Sequence, residues 1–101
     1  MLNIDYAENG TEVKIALEGR LDANTSKDLK AKLGEIPESV TRADMDISKL
    51  EYTSSAGLRV ILQLHNQLGQ RGGRLTILKP NDTIVEVFED TGLSDCLNIV
   101  R

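Results

Sequence analysis

Alternating and helical hydrophobic patterns succeed one another along this chain in the order β-β-α-β-α-β-α-β. That order predicts an α/β fold, α+β-like at its start, with a mixed sheet of four to five strands and helices packed on it. Three observations carry the prediction. Asn9-Gly10 lies between two alternating runs and signals an antiparallel hairpin. The later alternating runs are separated by stretches of helical periodicity. Finally, 101 residues with 40% hydrophobic content suit a single compact domain spanning 1–101.

Leu2, Ile4 and Tyr6 alternate with polar residues, as do Val13, Ile15 and Leu17, giving two strands joined at Glu8-Asn9-Gly10. Gly19-Arg20-Leu21-Asp22 reads as a loop. Asn24 or Thr25 then caps a helix, with Thr25 and Asp28 at capping-box spacing. Leu29, Leu33 and Ile36 form its apolar stripe, and Pro37 ends it. Ala43, Met45 and Ile47 alternate with Asp44 and Asp46 as a third strand, and Ser48 to Gly57 reads as a loop. In the helix that follows, Leu58, Val60, Ile61, Leu62, Leu64 and Leu68 share one arc of the wheel. Arg71-Gly72-Gly73 is a turn, and Leu75, Ile77 and Leu78 supply a fourth strand. Lys79-Pro80-Asn81-Asp82 breaks that strand and caps a third helix carrying Ile84, Val87 and Phe88. Gly92 is placed as its left-handed C-terminal residue, and Cys96 to Val100 reads as a closing strand.

Composition narrows the function. Twelve Lys and Arg against 16 Asp and Glu leave a charge of −4, and the basic residues are scattered among acids. Nucleic acid is therefore a disfavoured partner, and three aromatics, Tyr6, Tyr52 and Phe88, offer little to stack on bases. No apolar run approaches the roughly 20 residues of a membrane span, and the N-terminus lacks a signal-peptide pattern. A lone Cys96 closes no internal disulfide and fits a reducing cytoplasm. One His and one Cys leave few ways to build a metal cage; no metal, no cofactor and no enzyme activity are expected.

Candidate chemistry centres on Ser54 and Ser55 in Tyr52-Thr53-Ser54-Ser55-Ala56-Gly57-Leu58. On the residues alone, a serine before an apolar helical run is an N-cap, and Ala56 and Gly57 allow close backbone approach. The alternative is a serine that meets an anion or becomes one, since a helix N-terminus accommodates a phosphate. A nucleophilic serine is not expected. His65, the one histidine, lies ten residues along, or about 15 Å, beyond the reach of a base, and reads as packed on the core with one nitrogen bonded. Gly72-Gly73 lacks the ending of a phosphate loop, Asp44 and Asp46 read as solvated, and Cys96 reads as a small buried hydrophobe. Asp22 either caps the first helix or faces the Ser55 loop.

Taken together, Gly19-Arg20-Leu21-Asp22-Ala23-Asn24-Thr25, Asp46-Ile47-Ser48 and the Ser54-Ser55-Ala56-Gly57-Leu58 stretch resemble the STAS domain. In particular they are similar to the bacterial single-domain anti-sigma factor antagonists, over essentially the whole chain. The resemblance implies a phosphorylation-controlled switch. The unmodified form would bind an anti-sigma factor that is also a serine kinase, phosphorylation would release it, and a serine phosphatase would reset it. Ser55 matches the phosphorylated serine, with Ser54 the second candidate. The implied partner surface takes in Asp22, Asn24, Ser54, Ser55, Ala56, Gly57 and Arg59. This chain carries Ser54 where the best-known antagonists have Asp. The alternative reading is a constitutive STAS interaction subunit of a signalling or transport assembly.

Overall fold

Alternation of apolar side chains dictates which face of each strand is covered, and right-handed crossovers dictate where the helices go. The computed structural model describes residues 2–101. Its elements run β1 (Leu2–Asn9), β2 (Glu12–Leu21), α1 (Thr25–Leu33), β3 (Arg42–Thr53), α2 (Ser55–Gln70), β4 (Arg74–Leu78), α3 (Asp82–Asp90), α4 (Leu93–Cys96) and β5 (Asn98–Val100). The five strands lie in the order β1-β2-β3-β4-β5. β1 and β2 are antiparallel, and the remaining neighbours are parallel. Each parallel step moves to the next strand in the same direction, so right-handed connections put every crossover helix on one face.

That face holds the core. In register across β2, β3 and β4 stand Val13, Ala43 and Leu75, then Ile15, Met45 and Ile77, all buried. Leu29 and Leu33 of α1, Ile61, Leu64 and Leu68 of α2, and Ile84 and Phe88 of α3 close over them. The opposite face carries Lys14, Asp44 and Thr76 in one row and Ala16, Asp46 and Leu78 in the next, and no helix among the described residues covers it.

The strands differ from expectation where the ladder is irregular. β2 continues through Gly19, Arg20 and Leu21, and β3 through Ser48 to Thr53, both read from sequence as loops. The register passes from Ala16 opposite Asp46 to Glu18 opposite Lys49, and from Gly19 opposite Leu50 to Arg20 opposite Tyr52. At each step β3 advances one residue more than β2. Such bulges break the two-residue alternation that a sequence reading depends on.

Local closures differ as well. The hairpin turn is Gly10-Thr11, with Gly10 at φ 64° and Asn9 still paired with Glu12. A glycine at the first central position is the pattern of a type II′ turn. Helix α1 ends at Leu33, and Ile36 is buried beyond it. Its expected capping box does not form: Asn24 makes no side-chain cap bond, and Asp22 supplies the oxygen instead. The Arg71-Gly72-Gly73 turn is a Schellman closure, with the Gly72 N–H donating to Gly69 O at 3.1 Å and the Gly73 N–H to Leu68 O at 2.8 Å. Gly73 then passes against Thr41, where a Cβ would sit 1.7 Å from the carbonyl oxygen. Asn81 caps α3, accepting from the Ile84 N–H at 2.8 Å, and Gly92 is left-handed at φ 78°. Cys96, expected in a buried strand, ends the short α4 and is exposed. No helix among the described residues is long and apolar enough to cross a membrane.

Candidate functional site

Parallel strands β2, β3 and β4 deliver their C-terminal ends, and with them the starts of α1, α2 and α3, to one end of the sheet. In parallel sheets this is the end where binding residues collect, because loops there are free to vary above a fixed scaffold. Leu21 pairs with Thr53, and the Ser54 N–H donates to Leu21 O at 2.8 Å. Asp22 and Ser55 each follow that bond by one residue. The strand register therefore brings together the two loops that the sequence could only place separately.

Asp22 caps α1. Its Oδ1 accepts from the Asn24 N–H at 3.0 Å and the Thr25 N–H at 2.9 Å. The Thr25 hydroxyl in turn lies 2.9 Å from Arg20 O, tying the loop back to β2. The N–H and hydroxyl of Thr25 hold the Asp22 carboxyl below the usual carboxylate range. The carboxylate of Asp22 thus organises its own loop, and that loop is joined to the start of α2 through the Leu21–Ser54 backbone bond.

Three consecutive hydroxyls meet three different environments. Thr53 is buried and donates to Ser54 O at 3.2 Å. Ser54, in extended backbone at φ −89° and ψ 172°, is the N-cap, its Oγ accepting from the Gly57 N–H at 3.3 Å. Ser55 is the first helical residue and is exposed, and its hydroxyl takes no part in the cap. The chain descends immediately after it. A Cβ on Gly57 would lie 2.5 Å from Leu21 Cγ and 2.7 Å from Thr53 Oγ1, so only glycine lets the first turn of α2 seat against β2 and β3. Asn24 is exposed nearby, Ala56 is half-buried, and Arg59 lies exposed one turn along α2 from Ser55.

Two neighbours were missed by the sequence reading. Arg20 and Tyr52 are paired across β2 and β3, and the Arg20 guanidinium sits 4.6 Å from the centre of the Tyr52 ring. Tyr52 is 39% exposed, a large aromatic left at the surface two residues before the cap. The available signal was a tyrosine outside any apolar periodicity, but with both segments read as loops the pair had no register. His65 is half-buried, and its Nδ1 has no hydrogen-bond partner among the described residues, contrary to the expected bonded nitrogen. Among the described residues no group of three or more His, Cys, Asp or Glu is arranged to hold a metal ion.

Comparison with known proteins matches residues 4–101 to the family model described as "Mlab, STAS domain". The anti-sigma-B factor antagonist of Listeria monocytogenes is 30% identical over 101 residues, covering 97% of this chain and 88% of that protein. The anti-sigma-B factor antagonist of Bacillus subtilis is 24% identical over 98 residues, covering 97% and 90%. Among solved structures, an anti-sigma factor antagonist from Mycobacterium paratuberculosis superimposes with a TM-score of 0.86 at 18% identity, over 98% of this chain and 85% of that one. The Bacillus cell fate determinant SpoIIAA in its phosphorylated form does so with a TM-score of 0.77 at 24% identity, over 98% and 92%.

Proposed function

The chain belongs to the STAS domain family, and from that membership we propose that it is an anti-sigma factor antagonist: a non-enzymatic binding switch controlled by phosphorylation of Ser55. In its unmodified form it binds an anti-sigma factor with serine kinase activity. Phosphorylation on Ser55 releases that partner, and a serine phosphatase restores the binding form. The proposed surface is Asp22, Asn24, Ser54, Ser55, Ala56, Gly57 and Arg59, and the proposed location is the cytoplasm.

The observation that carries the reading is the division among the three hydroxyls. A kinase needs an exposed acceptor, and Thr53 is buried while Ser54 is occupied in the cap. Ser55 alone of the three is exposed. A phosphate there meets the positive end of the α2 dipole and the free N–H groups of its first turn, so the helix tolerates it. The partner surface does not. A dianion adds about two negative charges, and burying it at an interface leaves it desolvated beside Asp22. A hundredfold loss of affinity requires only about 2.7 kcal/mol.

The test is direct. Incubation with the cognate kinase and ATP, followed by mass mapping, is expected to place one phosphate on Ser55 and none on Thr53 or Ser54. Ser55→Ala is expected to bind the partner constitutively and Ser55→Asp to bind at least tenfold more weakly. Equal affinity of these two variants would leave the constitutive interaction subunit as the better description.

A further inference from the structure

Helices α1 and α2 run parallel, because each returns from the C-terminal end of one parallel strand to the start of the next. Between them a groove of about 330 Å³ opens beside Ala23 and Ala56. Lys27 and Lys30 wall it on one side, Arg59 and Gln63 on the other, with Val60 beneath. Lys30, Val60 and Gln63 also line a second hollow of about 150 Å³ that reaches Gly34 and Gln67. Sharing those three residues, the two hollows adjoin and line up along α2 from Ala56 to Gln67, about 16 Å at the rise of a helix.

The charge in this groove opposes that of the molecule. The protein carries −4 overall, yet Lys27, Lys30 and Arg59 converge here. The ion pairs among the described residues are Lys32–Glu35, Arg42–Glu12, Lys49–Glu18 and Arg101–Asp82, and none uses these three cations. The nearest acids on the same segments are Asp22, whose carboxylate is engaged by its own loop, and Asp28, which does not line the groove. Three cations without an ion-pair partner among the described residues, set along these adjoining hollows, are complementary to a row of carboxylates. They are too few to follow a nucleic-acid backbone, which presents a charge about every 1.7 Å.

We propose that the α1–α2 groove receives an acidic segment of the partner protein, its carboxylates meeting Lys27, Lys30 and Arg59 over a floor of Val60. The proposal rests on the function above only in taking this end of the molecule as the partner surface. It also links the groove to the switch: Ser55 and Arg59 are four apart on α2, the spacing at which helical side chains meet. A phosphate on Ser55 draws Arg59 away from the groove and places a like charge at its mouth.

Lys27 and Lys30 are exposed, so the double reversal Lys27→Glu/Lys30→Glu is expected to leave the circular dichroism and melting temperature unchanged. With a glutamate-rich peptide of about twelve residues as probe, amide shifts are expected at Lys27, Lys30, Arg59 and Gln63. They should weaken about tenfold in the double variant and in about 0.5 M salt. Shifts centred elsewhere, equal binding by the double variant, or an RNA oligonucleotide that occupies these residues when the peptide does not would each overturn the proposal. The cognate partner supplies the second arm, with Ser55→Asp measured beside Lys27→Glu/Lys30→Glu. If Ser55→Asp releases the partner and the double reversal does not, the switch stands and the groove falls. If the double reversal releases it and Ser55→Asp does not, the groove stands and the phosphoswitch falls.

Discussion

Gly57 and Gly69 sit in the same helix, and replacing each by alanine is expected to move stability in opposite directions. Alanine gains up to about 1 kcal/mol over glycine in a helix interior, so propensity alone favours both changes. Geometry separates them. At Gly69 a Cβ meets nothing within 4 Å. At Gly57 it would stand 2.5 Å from Leu21 Cγ, 2.7 Å from Leu21 Cδ2 and 2.7 Å from Thr53 Oγ1, where ordinary contact between carbons is about 3.5–4.0 Å. Leu21 is fully buried and Thr53 nearly so, which leaves neither a direction to retreat. Overpacking of this kind costs about 1–3 kcal/mol. With the propensity gain subtracted, Gly57→Ala should lose up to about 2 kcal/mol, and at about 4–8 °C per kcal/mol its melting temperature should fall by up to about 15 °C. Gly69→Ala should hold or gain a few degrees. Thermal melts and urea titrations of the two variants side by side are the assay, with a shifted midpoint and an unchanged slope marking a true stability change. Equal stabilisation of both variants would refute the close approach of α2 to β2 and β3.

Other substitutions probe the remaining contacts. Ser54→Ala removes the α2 cap and is expected to cost about 0.5–1 kcal/mol in urea unfolding, whereas Ser55→Ala should fall within about 0.5 kcal/mol of the parent. Gly73→Ala forces a Cβ into the Thr41 carbonyl and is expected to give little folded protein, read as lost cooperativity in the melt. Asp22 and Asp46 are both held below the usual carboxylate range, Asp22 by Thr25 and Asp46 by the Ser48 N–H, then the Ser48 hydroxyl. A carboxylate whose folded value is depressed adds stability above its unfolded value, near pH 4, and loses it as pH falls through the folded one. Stability is therefore expected to be level above about pH 5 and to drop below pH 4. The drop should be smaller in Asp22→Asn/Asp46→Asn, as followed by urea midpoints across the pH series.

What could be read from sequence was whatever kept a regular period. Val13, Ile15 and Leu17, Ala43, Met45 and Ile47, and the broad apolar arc of α2 all alternate or recur without interruption, and they fell where expected. The far halves of β2 and β3 did not, because the extra residues of β3 shift Ser48 to Thr53 out of phase and leave exposed pairs between buried Ile47, Leu50 and Thr53. A bulge is a property of two strands at once, so neither sequence segment carries it alone. The same holds at the site. A serine cap before Gly57 was legible as local chemistry, but which serine caps depends on the Ser54 N–H reaching Leu21, a contact set by distant pairing. Cys96 was misplaced because its apolar neighbours Leu97 and Ile99 suggested a strand, while Gly92 had already turned the chain into one more helical turn.

The assignment of the cap to Ser54 rather than Ser55 has a consequence for the lifetime of the protein in a cell. Under the proposed function the molecule is interconverted repeatedly, and each form is exposed to proteolysis in proportion to how often it unfolds. Had the acceptor been the capping hydroxyl, modification would have altered the opening of α2, and one form would have been cleared faster than the other. With the cap on the neighbouring serine, the cap survives modification, and a phosphate on Ser55 at the positive end of the α2 dipole is expected to leave α2 opening no more often than before. The ratio of the two forms then carries no penalty from turnover against the phosphorylated one.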